Sequence, residues 1–169
     1  LFLTIPIFTR LMPQNDFGIV NTYLSVVSIL TITVGLSLSS SIRHAYMDYK
    51  TDIKNYMSAI FQISSFSFLI IFIVSIIIVK IFYKEIDITI VVLALVHSYG
   101  LFIVSCMNIL YMMRVDYIKK TLLMSLLNVF ITVFSIILLL QVEDNEYLSR
   151  IIPYVLIYCI VGLFFYLKY

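Results

Sequence analysis

Charged residues cut this chain into long uncharged blocks. Between them lie runs of 26 residues (17–42), 25 (55–79), 26 (88–113), 22 (121–142) and 17 (151–167) without Asp, Glu, Lys or Arg. A helix that crosses a bilayer needs about 20 mainly apolar residues. The runs predict helices rather than barrel strands, because a stretch such as Phe68-Leu69-Ile70-Ile71-Phe72-Ile73-Val74 lacks the alternation of a membrane strand. Its β-branched residues lower helix propensity in water. In hydrocarbon that preference is overridden, since each backbone N–H and C=O must be satisfied within the segment. Residues 1–9 are apolar but too few to cross and read as the end of a first helix. The expected fold is therefore all-α: a polytopic membrane helix bundle with a truncated first helix plus five further transmembrane helices. A 26-residue helix is about 39 Å long against about 30 Å of hydrocarbon, so 17–42 and 88–113 are expected to tilt.

Polar punctuation supports these divisions. Pro13-Gln14-Asn15-Asp16 reads as a tight turn, with Asp16 placed to cap a helix opening at Phe17. Glu143-Asp144-Asn145-Glu146 separates the last two spans, and Pro153 falls in the first turn expected of the final one, where its missing N–H costs little. Tyr46, Tyr49, Tyr56, Tyr83, Tyr111, Tyr117, Tyr147, Tyr154, Tyr166 and Tyr169 lie at or near run ends, an aromatic belt made without tryptophan.

Composition narrows the function. The chain is 63% hydrophobic and 12% charged, with mean hydropathy +1.11. Globular domains hold about 45–50% apolar and about 25% charged residues, so a soluble enzyme and a disordered chain are excluded. A net charge of +2 gives no footprint for nucleic acid. Cys106 and Cys159 lie inside apolar runs, which speaks against a disulfide framework. Four glycines build no phosphate loop, and His44 and His97 have no metal-ligand spacing around them. All nine carboxylates lie between the runs, leaving no mid-span acid. No enzymatic activity and no cofactor are expected.

Lys and Arg in alternate loops number seven (Arg43, Lys50, Lys54, Arg114, Lys119, Lys120, Lys168) against four (Arg10, Lys80, Lys84, Arg150). The positive-inside rule places loops 43–54 and 114–120 in the cytoplasm. In the first of these, Tyr46, Tyr49, Ile53, Tyr56 and Ile60 recur at helical spacing opposite Asp48, Lys50, Asp52 and Lys54. That pattern fits either an amphipathic segment on the headgroups or a cytoplasmic extension of the third helix.

The spans carry polar stripes. Thr121, Ser125, Asn128, Thr132 and Ser135 follow a 4-3-4-3 spacing on one helical face. Asn21, Ser25, Ser28, Gly35 and Ser39 keep the same period, with Ile32 the apolar intruder. Ser58, Gln62 and Ser65 mark the third helix, and His97, Ser98, Ser105 and Asn108 the fourth. Hydroxyls are ordinary glue between membrane helices, whereas Asn, Gln and His cost more to bury and mark pathways more often. Such faces point toward other helices or toward a hydrated interior that suits a transporter. The candidate pathway residues are Arg10, Asn21, Ser25, Arg43, Gln62, His97, Asn108, Arg114, Asn128 and Thr132. The three arginines serve either as topology and snorkelling residues or as bidentate partners for a phosphate-bearing ligand.

The stretch Ile5-Pro6-Ile7-Phe8-Thr9-Arg10-Leu11-Met12-Pro13-Gln14-Asn15-Asp16-Phe17-Gly18 resembles the first inter-helix loop of bacterial polysaccharide flippases, in the multidrug/oligosaccharidyl-lipid/polysaccharide exporter superfamily. Tyr23, the Ser25 to Leu30 stretch and Gly35-Leu36 are similar to that family's second helix, and Ser41-Ile42-Arg43 to its cytoplasmic exit. The resemblance is strongest over residues 5–60. It implies movement of lipid-linked oligosaccharide, on an undecaprenyl-diphosphate carrier, to the outer leaflet of the bacterial cytoplasmic membrane for O-antigen, capsule or exopolysaccharide synthesis. It also implies that this chain is a fragment, most of the N-terminal half of a two-half transporter. Membrane lipids and other polysaccharide-assembly proteins would be its partners.

Three other readings compete. A multidrug antiporter of the same superfamily usually needs a mid-membrane carboxylate, which the runs lack. A membrane enzyme of polysaccharide assembly needs a long outside loop, and these loops are short. A non-transporting scaffold needs no polar stripes at all.

Overall fold

A computed structural model describes residues 4–49, 52–82, 87–141 and 146–169. The turn at 143–145, the tyrosine Tyr83 and the loop charges Lys50 and Lys84 lie outside the described residues. Among the described residues all regular structure is helical, in the order α1 (Thr4–Leu11), α2 (Gln14–Val34), α3 (Leu38–Asp48), α4 (Ile53–Phe82), α5 (Ile88–Met113), α6 (Tyr117–Leu139) and α7 (Glu146–Lys168). α2, α4, α5, α6 and α7 are each long and apolar enough to cross a membrane. The chain is an all-α, multi-pass membrane protein.

α5 is the hub. A helix that is apolar all round belongs inside a bundle, and α5 buries residues on every side, from Ala94 through Leu110. α7 crosses it most closely. A Cβ placed on Gly100 would lie 2.6 Å from the Tyr158 carbonyl oxygen, and one on Gly162 would lie 3.1 Å from the Gly100 Cα. Here the missing side chains let two backbones touch, as small residues do between membrane helices. α2, α3, α4 and α6 pack around this pair.

The run 17–42 is not one helix. α2 ends at Val34, and Leu36 and Ser37 turn through positive φ of 47° and 55° before α3 begins. The break sits where Gly35 meets α5, since a Cβ there would fall 2.2 Å from the Phe102 ring. Packing against that ring, which hydropathy does not register, accompanies the division. α3 then folds Ile42 and Ala45 onto Met107 and Leu110 of α5 and Met57 of α4. Tyr56 donates to Ser41 at 2.8 Å, tying α4 to α3. The segment after residue 42 thus divides between two helices: α3 carries Tyr46, while Tyr56 belongs to an α4 that begins at Ile53.

Two further expectations change. α2 starts at Gln14 rather than Phe17, with Pro13 as its N-cap and no side-chain cap, so Asp16 lies in its first turn. α7 starts at Glu146, which places Pro153 inside the helix and buried rather than in its first turn. The 30-residue α4 is about 45 Å long. It buries Ile53, Met57, Ile60, Phe61, Ser64 and Ser67 but no residue from 68 to 82, although Phe68 still stacks on Tyr99 of α5 at 4.9 Å.

Candidate functional site

α5 begins at a well-made cap. The Asp87 carboxylate accepts the Thr89 N–H at 2.9 Å, which satisfies one of the donors a helix start leaves free. That backbone bond, joined by the Thr89 side chain, holds the Asp87 carboxyl below the usual carboxylate range.

Ten positions further on stands His97, 1% exposed. Its Nδ1 lies 3.3 Å from the Tyr23 hydroxyl of α2. The Tyr23 ring stacks on the imidazole at 5.8 Å between centroids, and Tyr154 and Tyr158 of α7 approach it at 5.6 and 5.2 Å. Tyr154 and Tyr158 are one helical turn apart and nearly parallel, at 4°. The i, i+4 spacing on α7 puts both rings on one side of His97, and α2 supplies the third. Ala94 next to Tyr23, Val27, Ile151 and Val155 forms the apolar wall around this cage. His97 is the one histidine, carboxylate, lysine or arginine buried in the middle of a span among the described residues.

The other nine predicted residues do not join it. Asn21, Ser25, Gln62 and Asn128 are exposed on the outer surface of α2, α4 and α6, and Thr132 is half-buried. Arg10, Arg43 and Arg114 are exposed at helix ends. Asn108 is half-buried on α5, three turns from His97, and its Oδ1 is buried without a hydrogen-bond partner. Among the described residues no hydrogen bond joins the side chains of two of the ten. Ser25 donates to the Asn21 carbonyl and Thr132 to the Asn128 carbonyl, each within its own helix.

Most of the α2 and α6 stripes, Asn21, Ser25, Ser28, Thr121, Ser125 and Asn128, thus face away from the bundle interior, which α5 fills with Phe102, Ile103, Cys106 and Met107, whereas Gly35 and Ser135 at the far ends of those stripes and His97 and Ser98 on α5 are buried. Several stripe hydroxyls bond back along the helix: Ser28 to Leu24 and Ser125 to Thr121. The expected hydrated interior of this bundle is instead a packed core. Cys106 is buried, Cys159 half-buried, and both are free thiols.

Three residues of these surroundings, Arg150, Tyr154 and Tyr158, are not among the ten the sequence predicts. Arg150, counted in the sequence only as a loop charge, is 6% exposed. Its guanidinium carbon lies 4.3 Å from the Phe8 ring centroid and 5.7 Å from that of Phe17. Its Nη1 has no hydrogen-bond partner among the described residues, and neither has Glu146 Oε2 one helical turn earlier. The available signal was the i, i+4 spacing of Glu146 and Arg150, hidden because the acidic run was read as a loop. Tyr154 and Tyr158 give a different signal: at a run end Tyr154 reads as part of the interfacial belt, and nothing in a single sequence brings α7 against His97.

Comparison with family models, with curated proteins and with solved structures finds no match to this chain.

Proposed function

We propose that this chain belongs to a membrane transporter that flips lipid-linked oligosaccharide, an undecaprenyl-diphosphate sugar, across the bacterial cytoplasmic membrane. In this reading it is a half-bundle of a two-half transporter, with loops 43–54 and 114–120 on the cytoplasmic side. The observation that carries the reading is the outward direction of most of the α2 and α6 stripes. Asn21, Ser25 and Ser28 on α2, and Ser125 and Asn128 on α6, are exposed within spans that are otherwise apolar. Polar side chains at membrane depth face protein or water rather than lipid. These faces therefore fit a surface shared with a second half and the cavity between them. Exposed Arg43 and Arg114 at one end of the bundle supply guanidinium groups suited to a diphosphate.

A specific observation favours the scaffold alternative. The exposed stripe hydroxyls of Ser25, Ser28 and Ser125, and that of half-buried Thr132, already donate to carbonyls one turn back, so they need no further partner. The two readings separate in a cell lacking the gene, assayed for the leaflet that holds lipid-linked oligosaccharide. A transporter predicts accumulation on the cytoplasmic leaflet, relieved by the intact gene but not by its Arg43→Ala or Asn128→Leu forms. An unchanged leaflet distribution in the deletion strain rejects transport and leaves the scaffold.

A further inference from the structure

A groove of about 600 Å³ runs along α2 against the start of α5. Gln14 and Asn15 line it at the first turn of α2, Gly18 and Thr22 follow, and Tyr23 and Ala94 form its wall deeper in. Tyr23 lies nine residues below Gln14, about 14 Å along the helix axis. A Cβ on Gly18 would meet nothing within 4 Å, so the groove is open at that level. Tyr23, part of this wall, is the residue whose hydroxyl lies 3.3 Å from His97 Nδ1. A groove that is polar at its mouth and lined deeper in by Val26, Leu30, Ile90 and Val91 thus reaches Tyr23, whose hydroxyl lies beside the buried imidazole.

We propose that His97 is a proton-binding site, loaded from this groove through Tyr23. The transfer balances simply. A hydronium in the groove gives its proton to the Tyr23 oxygen as the Tyr23 hydroxyl proton passes to Nδ1, leaving water, neutral tyrosine and an imidazolium. The imidazolium then donates its Nδ1–H back to the phenol oxygen, a charge-assisted bond stronger than the neutral one. The cage suits the charged form as well. Three phenol rings lie within 5.8 Å of the imidazole, at 23–34° to its plane, so each presents part of a face to the cation.

The groups facing His97 are Tyr23 from α2 and Tyr154 and Tyr158 from α7. α3, α4 and α6 also pack on α5 but bring no carboxylate, lysine or arginine into contact with His97 among the described residues. A proton on His97 is therefore a buried charge without a counter-ion, and hydration through the groove is its remaining stabiliser. Protonation favours an arrangement in which α2 and α7 admit water beside α5, and deprotonation favours the closed packing. Its link to substrate movement rests on the transport reading above; the proton site itself does not.

The test uses the whole chain in lipid bilayers with nitrogen-15 histidine and His44→Gln, leaving one imidazole. Solid-state NMR reads its nitrogen shifts as bulk pH falls from about 8 to about 4. The expected result is conversion to imidazolium, with Tyr23→Phe weakening proton binding about fivefold. A merely structural contact leaves that midpoint unmoved and overturns the role of Tyr23. Gly18→Leu, which fills the groove without touching the core, is expected to slow exchange of the imidazole N–H with deuterated water at an unchanged midpoint. An unchanged exchange rate overturns the route. An imidazole that stays neutral to the lowest pH in a folded protein overturns the site. No substrate enters this experiment, so its failure leaves the leaflet assay standing, and failure of that assay leaves this site standing.

Discussion

The carboxylate of Asp16 accepts the backbone N–H of Tyr147 at 3.2 Å, although 131 positions separate them. Tyr147 is the second residue of α7, where backbone donors have no partner within the helix. Asp16, in the first turn of α2, therefore caps a helix other than its own. Asp16→Ala is expected to cost about 1 kcal/mol. Asp16→Asn, which keeps an acceptor, should retain most of that. Unfolding of the purified protein in mixed micelles by added SDS measures both. Equal losses would assign the effect to charge instead of the hydrogen bond.

The Gly100–Gly162 crossing predicts an ordered pair of losses. Gly100→Ala drives a methyl into the Tyr158 carbonyl and should cost about 1–3 kcal/mol. Gly162→Ala meets Gly100 at 3.1 Å and should cost less. Because one separation of α5 from α7 relieves both, the double variant should lose less than the sum. Strict additivity in the same unfolding assay would show that the helices do not touch here.

Gly35 and Phe102 form a second close approach, this time backbone against ring. Gly35→Ala is expected to destabilise by about 1–3 kcal/mol. Adding Phe102→Leu should restore part of the loss, since the atoms the methyl would strike are removed. A double variant less stable than either single would reject this account.

How much of this was legible beforehand differs from element to element. α5 is readable to the residue at both ends, because Asp87 and Arg114 bound a run without a single charge. The α2–α3 break is not, because Gly35 looks like any glycine in a span until Phe102 lies against it. The stripe of Asn21, Ser25 and Ser28 was readable as a face but not as an outward face, since periodicity gives a direction only relative to the helix itself. His97 stood out as a lone imidazole, while its three phenols come from positions 23, 154 and 158 and meet only in the fold.

Val115, in the turn between α5 and α6, has a φ of 62° and is exposed. A β-branched residue is strained there, and no packing is lost by removing its side chain. Val115→Gly is expected to stabilise the protein by about 1 kcal/mol, against the usual trend for glycine. A lower unfolding midpoint for this variant would contradict the turn geometry.

Asp87 gives the start of α5 a pH dependence of known sign. Its carboxyl is held below its ordinary range by the Thr89 bond, so the folded form favours the ionised group. The contribution is complete above the carboxyl's unfolded pKa and is lost as pH falls through the lower folded value. Amide exchange at Thr89, corrected for intrinsic rates, should lose protection over that acid range in the native protein. Asp87→Ala should show weaker protection with no such step; a step that persists would assign it to another group.

The position of α5 at the centre also governs the order in which the molecule can be made. Helices leave the ribosome in sequence, so α2 and α4 enter the bilayer before the element they pack upon has been synthesised. When α5 arrives they can gather, but the Gly100 contact stays vacant until α7 emerges 32 residues after α5 ends. Newly inserted chains therefore pass through a stage in which an imidazole at mid-membrane depth has met Tyr23 but not yet Tyr154 or Tyr158. Biogenesis, and not only the finished bundle, is where a chaperone or insertase would find this protein most in need of shelter.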